Sequence, residues 1–234
     1  MTDGSTTTDL PAPETVIRET DWASLECGFT DPLRVPAGLR NVLHPDPAVR
    51  QEAQRNLRGA FDAEACQALP ATAPAATYLA ALLADPRAAE ALDFPDPDAS
   101  DRSMRAVLLD ALGHYFHSAD DRTCASLGHG PDESALRYLR PAVHRVVAPL
   151  LDHEDRAVRH ACVFTAVSLV EHPRLAPHRA ALAGHARRLL AESGRFDYRD
   201  AALEGLRDWG HDTSGLETDE DSERRLQLAT EPPF

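Results

Sequence analysis

The chain has 234 residues, 43% of them hydrophobic and 26% charged, a globular composition with enough apolar material for a sizeable core. Its net charge is −14, and no apolar run approaches the ~20 residues needed to cross a bilayer. A membrane span is therefore excluded, and a surface built to grip nucleic acid, which needs concentrated positive charge, is disfavoured.

The acidity is uneven. Residues 1–21 carry −4, 22–130 carry −6, 131–210 carry +1 and 211–234 carry −5. There is no lysine, so all 24 basic side chains are arginines. Cys27, Cys66, Cys124 and Cys162 are far apart and form no C-x-x-C pair. With no basic, apolar leader at the N-terminus, that pattern predicts reduced thiols in a cytoplasmic protein.

Residues 1–21, rich in Thr, Pro and Asp, predict a disordered arm, with order beginning near Trp22 and Leu25. Asp31-Pro32 then reads as a helix cap followed by proline at the first helical position. Leu33, Leu39, Val42 and Leu43 are expected on the inner face of a first helix kinked at Pro36. After the turn His44-Pro45-Asp46-Pro47, a second helix carries Val49, Ala53, Leu57 and Phe61 at helical spacing. A second pair covers 70–84 and restarts at Asp101 after an acidic loop, 85–100, that holds Asp93, Asp96 and Asp98.

The third pair has the clearest stripe: Leu136, Leu139, Val143, Val146, Val147 and Leu150, interrupted by Pro141. Its companion carries Val158, Ala161, Cys162, Thr165, Ala166 and Leu169. A fourth pair runs over 175–190 and 198–209, and residues 211–234 predict an acidic disordered tail. The repeat domain is thus expected over 22–210.

The second helices share a register. Asp46/Val49/Arg50/Ala53 matches Asp155/Val158/Arg159/Cys162. Met104, Arg105, Leu108 and Leu112 align with Val49, Arg50, Ala53 and Leu57, and so do Tyr198, Arg199, Ala202 and Leu206, with Arg195 at the aspartate position. The aspartate can accept from the exposed N–H groups of the next turn, and the valine faces the helix layer. A turn followed by Asp-x-x-Val-Arg-x-x-small resembles the second-helix signature of HEAT-like repeats, as do the prolines inside first helices. The resemblance covers roughly 32–209. It implies an all-α, right-handed α-solenoid of about four antiparallel helix pairs and a binding role.

Chemistry-bearing patterns are sparse. His114 and His117, three apart at a helix end and followed by Cys124 and His129, are ligand types zinc accepts, but their spacing matches no structural zinc motif. No metal or cofactor is assigned. His178, Arg179, His185, Arg187, Arg188, Arg195 and Arg199 form a candidate anion surface on the last pair, in a half that is only +1. No nucleophile elbow, zinc-protease, phosphate-loop or dinucleotide motif occurs, so binding is expected rather than catalysis.

The groove-facing positions expected from the resemblance are Arg50, Gln54, Arg105, Asp110, His160 and the neighbours of Thr165, with Asp93, Asp96 and Asp98 on the loop beside them. The expected partner is another protein, basic in character, with the chain acting as adaptor or inhibitor, in one form as an immunity-type blocker of a nuclease. The alternative is a nucleic-acid-binding HEAT-like protein such as a DNA glycosylase. The register itself is testable: Val158→Asp should destabilise by several kcal/mol through an unpaired buried carboxylate, and an unchanged melting curve would refute it.

Overall fold

The structure, a computed structural model, describes residues 9–28, 31–61, 68–90, 102–120 and 130–230. Side-chain caps open several of its helices and turns. Helix α1 is Pro13–Glu19, with proline in its first turn. A 3-10 turn, Pro32–Arg34, capped by the Asp31 carboxylate accepting from Leu33 N–H at 3.0 Å, leads into α2, Val35–Asn41. Then come α3, Pro47–Phe61, α4, Thr72–Leu82, and α5, Met104–His117. Helix α6, Pro131–Val147, opens on a capping box in which Glu133 accepts from Gly130 N–H at 2.9 Å. Helices α7, Arg156–Leu169, α8, Arg179–Glu192, α9, Phe196–Asp208, and α10, Asp219–Thr230, complete the chain. Among the described residues no helix is long and apolar enough to cross a membrane.

The expected aspartate caps are present at α3 and α7: Asp46 accepts from Ala48 N–H at 2.9 Å and Asp155 from Ala157 N–H at 2.8 Å. Two first-pair expectations change. Pro36 lies in the opening turn of α2, where it interrupts no hydrogen bond, and Leu33 in the preceding 3-10 turn is 67% exposed. Both ends also differ from the expected arm and tail. Val16 and Ile17 are buried where α1 packs on α4, and the Trp22 indole donates to Ile17 O at 3.2 Å. Two adjacent apolar residues with an open helix face to cover are enough to order a short helix.

The packing centres on α7. It touches α5, α6, α8 and α9, and every side chain from His160 to Val170 is buried. Close approach on two sides is possible because α5 and α9 each present a glycine. A Cβ on Gly113 would lie 2.3 Å from the Phe164 ring, and one on Gly205 would lie 2.8 Å from Val167. The buried Thr165 hydroxyl sits between Leu109 O at 2.7 Å and Ala161 O at 2.9 Å. In the other layer α4 packs on α6, and α2 packs on α3.

The repeated arginines serve the backbone. Arg50 Nη1 donates to His44 O and Pro45 O at 2.7 and 3.0 Å, and Arg159 Nη1 donates to His153 O and Glu154 O, both at 2.8 Å. Arg105 Nε donates to Leu83 O at 3.0 Å, and Arg199 Nη1 reaches Leu190 O and Ser193 O. Each guanidinium thus satisfies carbonyls left open at the end of a preceding helix or turn.

Arg199 also docks the C-terminal helix. Its Nε and Nη2 pair with both oxygens of Asp221 at 2.8 and 2.6 Å, and both side chains are buried. Thr218 donates N–H and O–H to the same carboxylate, each at 2.8 Å. The Arg199 hydrogen bonds, aided by Thr218, hold the Asp221 carboxyl well below the usual carboxylate range. A depressed folded value means that the stabilisation is complete above the unfolded carboxylate pKa and fades as pH falls through it. Asp221→Asn should therefore cost about 3 kcal/mol at neutral pH and less in acid. Hydrogen exchange along α10 checks this, and equal protection in both proteins would refute the lock.

Candidate functional site

On the face where second helices were expected to line an open groove, α5 and α9 meet across α7. The Tyr198 hydroxyl donates to Asp110 Oδ1 at 2.8 Å and accepts from Arg102 at 2.8 Å and Arg195 at 3.2 Å, so its hydrogen-bonding capacity is filled. Arg102 reaches Asp110 at 3.4 Å and Arg195 reaches it at 3.5 Å. Arg195 also grips Asp197 with Nη2 at 2.6 Å. Aromatic contacts extend the junction: the Arg195 guanidinium lies 4.0 Å over the Tyr198 ring, which stacks on Phe164 at 5.0 Å. His114 meets the same Phe164 edge-on, also at 5.0 Å.

Burial, with the Asp110 charge beside it, pushes the Tyr198 phenol well up. Burial would raise Asp197, but the Arg195 hydrogen bonds outweigh it and hold that carboxyl down. Burial would likewise lower Arg195, and its acid partners overcome this, so the guanidinium stays charged.

The junction leaves an opening to one side. Between α3 and α5 lies a cavity of about 420 Å³. Val42, Leu57, Leu79 and Leu108 form its buried interior, and Asp110, His114 and Arg195 stand at one end. Gln54 of α3 also lines it, its amide 3.7 Å from Met104 Sδ. The ligand atoms of Asp110, His114 and Asp197 lie within 4.8 Å of one another, a grouping that could hold a metal ion by distance alone. Its charge does not fit one. Arg102 and Arg195 already neutralise the two carboxylates and occupy their oxygens.

Of the residues expected at a partner surface, Asp110 and Gln54 line this cavity, whereas Arg50 and Arg105 are turned to backbone carbonyls. His160 is buried beside Glu192 of α8, 3.2 Å away, and the neighbours of Thr165, Phe164 and Ala166, are buried as well. Burial pushes the His160 imidazole down, against the opposing pull of Glu192. His114 and His117 do not share a site: His117 pairs with Asp120 at 3.2 Å and lines a different cleft, beside Trp209. Asp93, Asp96, Asp98, Cys124 and His129 lie outside the described residues. In the expected anion surface, Arg179 and Arg199 are turned to backbone carbonyls and Arg195, 36% exposed, is paired with Asp110 and Asp197, while Arg187 and Arg188 are exposed.

Sequence reasoning placed Tyr198 only at a core position and did not see Arg102 or Asp197. The available signal was a tyrosine where the register has valine or methionine, since a buried phenol needs partners.

Comparison of the chain with protein-family models, curated proteins and solved structures finds no match. The junction can be tested directly. Tyr198→Phe keeps the ring stack and removes the shared hydroxyl, so it should lower stability by about 1–2 kcal/mol. A urea midpoint equal to that of the parent protein would show that the hydroxyl contributes nothing.

Proposed function

We propose that this chain is a protein-binding helical-repeat scaffold, a HEAT-like right-handed solenoid of about four helix pairs, acting as adaptor or inhibitor of a basic protein partner in the cytoplasm. The repeat reading is supported by the register of arginine-to-carbonyl contacts at Arg50, Arg105, Arg159 and Arg199, one in each pair. The observation that carries the basic-partner reading is where the positive charge goes. Arg140 and Arg179 join those four in donating to backbone carbonyls, at Ala119 and Val170. Arginines so committed are held back from direct contact with a polyanion, while the chain as a whole carries −14. That net acidity steers a basic protein toward the chain.

An immunity-type inhibitor of a nuclease is the specific form this takes, since a phosphate-gripping site presents the complementary charge. The glycosylase alternative has less support, because Arg179 and Arg199, two of the seven basic residues it relies on, are turned to backbone carbonyls. Photo-crosslinking in native extract, followed by mass spectrometry, tests the proposal. The captured protein should be basic, and its yield should fall about tenfold or more between low salt and roughly 0.5 M salt. An acidic or salt-insensitive partner, or a DNA gel shift at low salt, would overturn it.

A further inference from the structure

We propose that the cavity between α3 and α5 is a binding site for a small apolar monocarboxylate, its hydrocarbon body held among Leu57, Leu79 and Val107 and its carboxylate at the rim against His114 and Arg195. This inference is independent of the protein-partner reading.

The cavity has a direction. Leu57, Leu79 and Leu108 are 6%, 2% and 1% exposed, whereas the side chains of Arg195 and His114 are 36% and 55% exposed. The apolar end is therefore the bottom and the polar end is the mouth. A volume of about 420 Å³ falls in the range of roughly 300–1,000 Å³ used for small ligands. Three helices, α3 to α5, supply nearly all of the lining, with Val42 just past α2.

Charge decides the head group. Asp110 takes the Tyr198 hydroxyl and two guanidinium groups, and Asp197 takes Arg195. A cationic head would have to displace an arginine from an acid it already neutralises. His114 Nε2 is 4.0 Å from Asp110, beyond hydrogen-bond reach, and its ring is braced on Phe164. An imidazole N–H and the outer edge of Arg195 are donors, and a carboxylate is the acceptor that uses both without breaking the junction. An apolar alcohol would bury the same hydrocarbon with a weaker head contact.

Titration calorimetry of the full chain with sodium decanoate, decylammonium chloride and decan-1-ol, each below its aggregation limit, tests the site. Decanoate should saturate at one per chain and bind at least about tenfold tighter than decylammonium. Ala111→Trp, which fills the cavity from α5, should abolish decanoate binding. His114→Ala should weaken decanoate about tenfold and leave decanol unchanged. Decylammonium binding as tightly as decanoate, decanoate surviving Ala111→Trp in a protein with parental circular dichroism, or the absence of saturable binding would each overturn the proposal. Should Ala111→Trp fail to fold, the three-ligand series on the unmodified chain decides.

Discussion

The rest of the structure depends on the enclosure of α7. A helix buried on all sides from His160 to Val170 has to satisfy its polar side chains internally and accept neighbours at short range. Thr165 does the first by reaching Leu109 O, and Gly113 and Gly205 permit the second. With Phe164 and Val167 seated at those glycines, α5 and α9 come close enough for Tyr198, Asp110 and Arg195 to join.

Arginine is used in two ways. At Arg50, Arg105, Arg159 and Arg199 it closes backbone carbonyls, a task its fork of donors performs without a carboxylate. At Arg102 and Arg195 it balances two aspartates around one phenol. In neither role is it presented as a field for phosphate. Among the described residues Arg50, Arg140 and Arg199 are buried, and across the chain 38 acids outnumber the 24 arginines.

Much of the helical framework was legible because caps and stripes are local. Asp46, Asp155, Val158 and Cys162 behave as their register requires. The groove was not legible. Whether a second-helix position faces solvent depends on how far neighbouring helices close, and periodicity within one helix carries no record of that. Hence His160 reads as groove-facing but is enclosed, while Asp110 and Gln54 do line a cavity. The short helices α1 and α10 escaped notice for a related reason. Their order rests on contacts distant in sequence, Val16 and Ile17 on α4 and Asp221 on Arg199, and not on their own composition.

The bond between α5 and α9 also bears on how the chain comes apart. In an array whose units touch only their immediate neighbours, stability is close to a sum over units, and the ends can fray independently. Tyr198 and Asp110 are 88 residues apart in sequence, with α6, α7 and α8 between them. Releasing α9 therefore loosens α5 as well as α7, and opening α5 removes the partner that holds α9. Such a link, formed across three intervening helices, ties the opening of α5 to that of α9.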